Sequence, residues 1–341
     1  MKTDGGFAGE GRAEKGGTGF GAEYAVSDPY KVNSLVLTAT VDPVAGSVNW
    51  DPARSIWNAS MLLASVILGP MFFTWGAFAV FLILLELTMC AGHSVGFHRR
   101  LIHRTFKCPK WLEHLLVYCG TLVGMQGPLW IIHAHDIRDW AQRQPQCHPY
   151  LKHGHGLLRD GWWNLHCRLR LKNAPAFGPG PGIGDDGFYR FLQRTWMLQQ
   201  VPPAILLYLL GGWPWLVWGV CVRVTAGVSM HWLVGYFCHT HGPQSWLVDN
   251  GAVQAHDVPL AAIPSMGESW HNNHHAFPAS ARHGLYPGQI DLGFDFIRLL
   301  ERLGLAWDIQ TPDKLPPRQG ITPLRADVAL IHRRGHYRTK Y

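Results

Sequence analysis

Four long apolar stretches dominate this sequence and limit what it can fold into. They occupy residues 56–73, 75–92, 197–211 and 213–238. Each is close to the ~20 apolar residues that a helix needs to span a bilayer. Only a few residues separate the members of each pair, so the pattern predicts two helical hairpins. A composition of 47% hydrophobic and 16% charged residues also favours a membrane protein. We therefore expect an all-α integral membrane protein with four transmembrane helices.

The distribution of basic residues predicts the orientation of these helices. Both hairpin tips lack Lys and Arg, whereas residues 99–195 are rich in them. By the positive-inside rule, that segment and both termini are cytosolic. The polar segments would form a helical cap on the cytosolic face, which is the inner-membrane face if the source is bacterial. The net charge of +7 lies mainly beside the apolar stretches, which indicates a membrane surface or an acidic ligand rather than nucleic acid.

The chain divides into three parts by composition. Residues 1–22 are rich in Gly and charge and are predicted to be a disordered tail. Residues 23–310 would form the membrane domain. Residues 311–341 are Pro-rich and then basic, which predicts a loose tail. The seven Cys form no CxxC pair, so we interpret them as small buried apolar residues.

Histidines cluster at the predicted cytosolic ends of the helices. His271, His274 and His275 stand at i, i+3 and i+4, which places three imidazoles on one helical face. His98 and His103 are five residues apart, a spacing that requires a helix that ends or distorts. Imidazole suits transition metals such as iron, zinc and copper. One such cluster cannot fill a coordination shell, so together they predict a membrane-face site with two metal ions.

Two further groups join these histidines. His135, Arg138 and Asp139 repeat the i, i+3, i+4 frame, although two of the three residues differ. His239 and His241 follow the last apolar stretch and lie on opposite sides of a helix, so one of them is expected to face the site.

These motifs closely resemble those of the membrane fatty acyl desaturases, in particular the stearoyl-CoA (acyl-CoA delta-9) desaturase-like branch and its bacterial relatives. The resemblance covers about residues 55–310. The segment H-R-R-L-I-H-R-T-F is similar to the first histidine box of the family, and H-N-N-H-H-A-F-P to the third. The flanking G-E-S-W, S-A-R-H-G-L and L-E-R-L-G-L-A-W-D also fit. C-H-T-H-G resembles the segment that supplies one further ligand, at His239.

The resemblance implies a di-iron oxidoreductase that uses O₂ to place a cis double bond in an acyl chain. The acyl group would be carried by CoA or linked to a lipid, and electrons would come from a separate ferredoxin, rubredoxin or cytochrome b5-type protein. The implied metal ligands are His98, His103, His135, Asp139, His239, His271, His274 and His275. Candidates for metal binding or for support of the ligands are His93, His133, Asp136, Arg138 and His241. Phosphates or lipid headgroups would meet Arg99, Arg100, Arg104 and Arg143.

Other histidines are expected outside the metal site. Those interpreted as loop residues are His148, His153, His155 and His166, and those treated as non-ligands are His256, His283, His332 and His336.

Two departures from the family pattern concern the site. The second box of the family is HxxHH, where this chain has His135, Arg138 and Asp139. A carboxylate can bind iron, whereas a guanidinium stays protonated and cannot. Arg138 could instead pair with Asp136, Asp139 or a substrate anion. Gly235 stands where the family often has an Asn. These changes keep open a related di-iron lipid hydroxylase or a non-catalytic metal-binding relative.

Overall fold

The computed structural model describes residues 34–180 and 182–324 and is mostly helical. The predicted disordered tail at 1–22 and residues 325–341 lie outside the described residues. The α-helices are α1 Pro52–Met71, α2 Trp75–Leu87, α3 Lys110–Leu122, α4 Pro128–Gln142, α5 Leu157–His166, α6 Gly187–Thr195, α7 Val201–Leu216, α8 Arg223–Cys238, α9 His271–Ala276 and α10 Leu292–Arg302. The strands are β1 Leu35–Val36, β2 Gly46–Trp50, β3 Cys167–Leu171, β4 Ala176–Phe177, β5 Trp246–Val248 and β6 Ile321–Pro323.

Local capping fixes the start of the first two helices. The Asp51 side chain accepts a hydrogen bond from the Arg54 N–H, and Pro52 follows at the first helical position. The Thr74 hydroxyl accepts one from the Ala77 N–H and begins α2. Both caps satisfy backbone donors that have no partner within the helix. Residues 72–74 therefore form a short connection, as the sequence predicts.

Within residues 34–180 and 182–324, two helical segments are long and apolar enough to cross a bilayer. They are Trp75–Ile102 and Leu198–Cys238. In the second, the backbone leaves the helical conformation at Gly212, with φ 64° and ψ −157°. Leu207 packs against Gly219, where a Cβ atom would lie 2.6 Å from its Cδ1. Twelve residues of straight helix would separate these two by about 18 Å. The segment is therefore two helices packed side by side.

The first of these segments changes its winding before it ends. Residues Thr88–Ile102 form a π-helix that continues α2. Its close contact with α3 depends on glycine: a Cβ atom at Gly92 would overlap the backbone of Cys119 and Gly120, and one at Gly96 would lie 2.5 Å from the Leu116 carbonyl oxygen. The two helices are therefore in backbone contact in the second half of this membrane-length segment.

Short strands close the cap, which corrects the all-α expectation. Antiparallel β2 and β3 pair from Gly46↔Leu171 to Trp50↔Cys167, and β1 pairs with β4. Strand β6 pairs with β5, so the folded part extends into the predicted C-terminal tail. Single-sequence periodicity misses such pairs because two to five residues carry too few alternations.

The glycine contact between the π-helix and α3 gives a stability prediction. Gly92→Ala should lower the stability of the purified protein by about 1–3 kcal/mol, because the added methyl group meets backbone that cannot move aside. Gly187→Ala is the control, since a Cβ atom there meets nothing within 4 Å. Thermal unfolding in detergent measures both variants. Equal midpoints for the two would contradict the close approach.

Candidate metal centre

Four histidines from three separate elements form the first cluster. Its members are His98, His103, His135 and His274. One ring nitrogen from each lies within 4.8 Å of the others. The π-helix explains how two residues five apart meet, because i→i+5 hydrogen bonding stacks them on successive turns. The His103 N–H donates to the His98 carbonyl at 3.0 Å, and the two Nε2 atoms are 3.1 Å apart.

Three further histidines form the second cluster, which contains His239, His271 and His275. The Nε2 atoms of His271 and His275 are 3.1 Å apart. His239 directs Nδ1 at the Gly235 carbonyl oxygen at 2.7 Å, and its Nε2 is buried without a hydrogen-bond partner. The tautomer of His239 is thereby fixed with a lone pair facing the cluster.

Helix α9 serves both clusters. His271 and His275 are four residues apart and face the second cluster, whereas His274 faces the first. Asp257 accepts the Asn272 N–H at 2.9 Å, and the Asn272 side chain donates to the carbonyls of Trp246 and Ala255. Burial raises the pKa of Asp257 to about 7. These bonds anchor a six-residue helix that is too short to be stable alone.

Glu268 orients the first cluster from behind. Its Oε2 lies 2.5 Å from His98 Nδ1, and its Oε1 accepts from the Ser94 hydroxyl at 2.6 Å. Oε1 also pairs with the fully buried Arg99 at 2.9 Å. Burial acts to raise the pKa of Glu268, but Arg99 and His283 hold it below its ordinary value. A charged carboxylate on Nδ1 leaves Nε2 of His98 as the metal-facing atom, a common arrangement behind metal ligands.

Three histidines of α9 have the protonation state that metal binding requires. Burial lowers the pKa of His271 to about 4. Burial and the neighbouring imidazoles lower the pKa of His274 and His275 in the same direction. These rings are therefore neutral at physiological pH, with lone pairs available to a cation. Buried neutral imidazoles with paired Nε2 atoms fit a metal ion in each cluster, and iron is among the metals that such a donor set suits.

Of the second box, His135 joins the first cluster, whereas Asp139 joins neither cluster. The Asp139 carboxylate pairs with Arg143 at 2.6 Å and is part of neither cluster. Arg138 binds Nε2 of His153 and, at 2.8 Å, Oδ1 of Asn164. Its expected pairing with Asp136 or Asp139 is absent among the described contacts. Asp139 as a ligand stays a prediction, because the carboxylate lines the same cavity as the clusters.

The residues predicted to bind metal or support the ligands differ in their position relative to the two clusters. Asp136 is buried, lies 3.3 Å from His135 Nδ1 and accepts from Ser34, so it orients a histidine of the first cluster. His93 and His133 line the cavity outside the clusters. His93 Nε2 lies 3.1 Å from Nδ1 of His231. His241 is exposed and contacts Thr240.

The expectation that four arginines meet phosphates is wrong for Arg99. It is 0% exposed and pairs with Glu268 and, at 2.7 Å, with Asp291. Arg100 already has an anionic partner within the protein, because it pairs with the buried Glu113. Arg104 donates to the Pro179 carbonyl at 3.0 Å, and Arg143 pairs with Asp139.

Several residues of the site were missed by sequence reasoning. His283, treated as a non-ligand, is buried, with its ring 4.6 Å from that of His274 and its Nε2 unpartnered. His153, interpreted as a loop residue, stacks on His239 at 5.3 Å. Glu268 stands in the G-E-S-W segment, three residues before His271. The similarity of this segment to the family pattern was the sequence signal that could have identified Glu268 as part of the site.

A cavity of about 580 Å³ runs beside both clusters. Histidines of each cluster line it together with Met89, Met125 and Val228. Its size is typical of small-molecule sites. Apolar helices of membrane length, a partly apolar cavity and two buried imidazole clusters together define a membrane protein with a histidine-rich metal centre.

Comparison with known proteins identifies the family. No family model matches the chain. It is 34% identical to the sn-1 stearoyl-lipid 9-desaturase of Anabaena variabilis, over 76% of this chain and 95% of that protein. It is 34% identical to the acyl-CoA 5-desaturase AL21 of Anemone leveillei, over 77% and 84%. It is 36% identical to the palmitoyl-monogalactosyldiacylglycerol delta-7 desaturase of Arabidopsis thaliana, over 75% and 67%. The chain belongs to the fatty acyl desaturase family.

The carboxylate behind the first cluster gives a metal-binding prediction. Glu268→Gln should lower metal affinity by about 10–100-fold, because His98 loses the charge that orients it. Metal per chain, measured by plasma mass spectrometry during titration with a chelator, tests this. Glu301→Gln is the control, since Glu301 pairs with Arg298 near the surface of α10. An unchanged affinity in Glu268→Gln would show that Glu268 has no part in the site.

Proposed function

We propose that this chain is a di-iron, O₂-dependent fatty acyl desaturase that introduces a cis double bond into an acyl chain. The observation that carries the proposal is the pair of imidazole clusters beside one cavity. The membership in the desaturase family supports it. The first cluster would hold one iron through four imidazoles and the second cluster the other through three, with Asp139 within the same cavity.

The reaction balances with a separate electron donor. Two adjacent methylene groups lose two hydrogens, and O₂ takes these with two electrons and two protons to form two waters. Bound iron would activate O₂ and supply the oxidant for the unactivated C–H bonds. The electrons would come from a separate ferredoxin, rubredoxin or cytochrome b5-type protein.

The protein's own contribution is to hold the chain and exclude water. Met89, Met125 and Val228 line the cavity with apolar surface that suits methylene groups. Glu268 and Asp136 keep His98 and His135 in fixed orientations. Fixed ligands determine where the reacting carbons must lie, which is how one enzyme selects one bond.

The carrier of the acyl chain is proposed to be anionic. The exposed Arg170 on β3 lines the cavity. Arg168 lines it too, where it pairs with Asp51 and stacks over Trp130 at 4.2 Å. The phosphates of CoA and an anionic lipid headgroup both suit such cations. The similar proteins include one named for acyl-CoA and another for a stearoyl lipid.

The proposed membrane arrangement has four spans and a cytosolic cap. Helix α1 is 20 residues long, with exposed Leu63 and Val66, and the turn at Gly212 divides the second long segment in two. Phe73 and Trp75 pack edge to face at one tip, and Tyr208 packs against Trp213 at the other. Aromatic residues at such tips suit the membrane interface.

Loss of a single ligand should abolish the reaction. His274→Ala, expressed in a desaturase-deficient host, should give no unsaturated product while the protein stays in the membrane, because the first cluster loses one of four imidazoles. Mass spectrometry of host lipids provides the measurement. His256→Ala is the control, since its exposed ring contacts the Gly242 carbonyl. Unchanged lipids with the unmutated protein would contradict desaturation of common acyl chains.

The orientation has its own test, which uses two exposed positions. Trp75 is 76% exposed at the first tip and Leu260 is 97% exposed in the cap. In intact cells, a membrane-impermeant maleimide should label Trp75→Cys and leave Leu260→Cys unlabelled until the cells are opened. The native cysteines are buried or half-buried, so unmutated protein gives the background. Labelling of Leu260→Cys in intact cells would show that the protein has the opposite orientation in the membrane.

A further inference from the structure

Arg138 stands on α4 three residues after His135 and lies beside the second cluster. It lines the cavity together with His239, His271 and His275. Its guanidinium binds Nε2 of His153 and Oδ1 of Asn164. A guanidinium stays protonated and has no lone pair for a metal. The second cluster of three imidazoles therefore has a positive charge beside it, linked to His239 through the stacked ring of His153.

A buried network holds this cation in place. His153 is 2% exposed, and its Nδ1 lies 2.9 Å from Oδ1 of Asp160. That oxygen also accepts from Trp232 Nε1 at 2.8 Å and from Asn164 Nδ2 at 3.1 Å. With Asp160 on Nδ1, the lone pair of His153 is on Nε2 and accepts from Arg138. Every group that touches Arg138 is thus itself fixed.

The backbone and a glycine also favour this arrangement. His153 has φ 51°, a left-handed conformation that costs a non-glycine residue free energy and needs surrounding contacts to persist. Its ring stacks on His239 with an interplanar angle of 14°. A Cβ atom at Gly235 would lie 3.7 Å from His153 Nε2. A longer side chain at position 235 would therefore compete with His153 for this space.

We propose that Arg138 is a fixed cation built into the second cluster, and that it makes this cluster the weaker of two unequal metal sites. His153, Asn164 and Asp160 are positioning residues that hold its charge there. The reason is electrostatic, because like charges in a buried site repel with little screening. The first cluster, with four imidazoles and Glu268 behind it, binds its ion more tightly. This inference rests on the proposed two-metal function.

Chelator titration of the purified, iron-loaded protein tests whether the two clusters differ in their affinity for iron. Iron per chain, measured by plasma mass spectrometry, should fall in two steps separated by at least about tenfold in free iron concentration. His239→Ala should remove the weak step and His98→Ala the tight one. If His239→Ala instead removes the tight step, the assignment of the clusters is wrong.

Variants of the cation test its role. Arg138→Met, which removes the charge and keeps much of the length, should strengthen the weak step by at least about tenfold. Arg138→His, which adds an imidazole, should strengthen it at least as much. Asn164→Ala is the milder variant and should shift the weak step in the same direction. Arg54→Met is the matched control: Arg54 lines the same cavity but donates to the Cys167 carbonyl.

The possible outcomes separate the two proposals. Two equal sites in the unmutated protein, with His98→Ala and His239→Ala each losing one iron, would refute the role of Arg138 and leave the proposed function standing. A weak step that Arg138→Met and Asn164→Ala leave unchanged would do the same. An unmutated protein that binds no iron would refute the proposed function itself.

Discussion

The structure depends on one buried ionic contact, between Arg99 and Glu268. Arg99 has no exposed surface and also pairs with Asp291 beside α10. A buried cation is stable only when its charge is compensated, and loss of one partner leaves an unpaired buried charge. The contact joins the end of the π-helix to the segment before α9. Since Glu268 also binds His98, the interaction that joins these elements is the one that orients the first cluster.

The distance between the clusters follows from one short helix. His274 belongs to the first cluster, and His271 and His275 to the second, so α9 fixes the separation of the two groups. The π-helix and α4 then bring their histidines to the face that α9 presents. The clusters differ in charge, because Glu268 stands behind the first and Arg138 beside the second. A two-metal centre built this way has unequal halves.

Local pattern made part of this predictable from sequence. The i, i+3, i+4 frame predicted that the three histidines of α9 act together, and the structure divides them between two clusters. The i, i+5 spacing of His98 and His103 indicated a distorted helix, which is the π-helix. Partners distant in sequence leave no such pattern. Glu268 meets His98 across 170 residues, and Arg138 meets His153 through a loop with a left-handed residue. The short strands were missed because tertiary pairing determines them.

The central claim is that two iron ions lie in two separate imidazole clusters. Anomalous X-ray scattering from crystals of the iron-loaded protein, recorded on both sides of the iron edge, tests it most directly. Two peaks are expected, the stronger among His98, His103, His135 and His274 and the weaker among His239, His271 and His275. A single peak, or a peak outside these seven side chains, would contradict it.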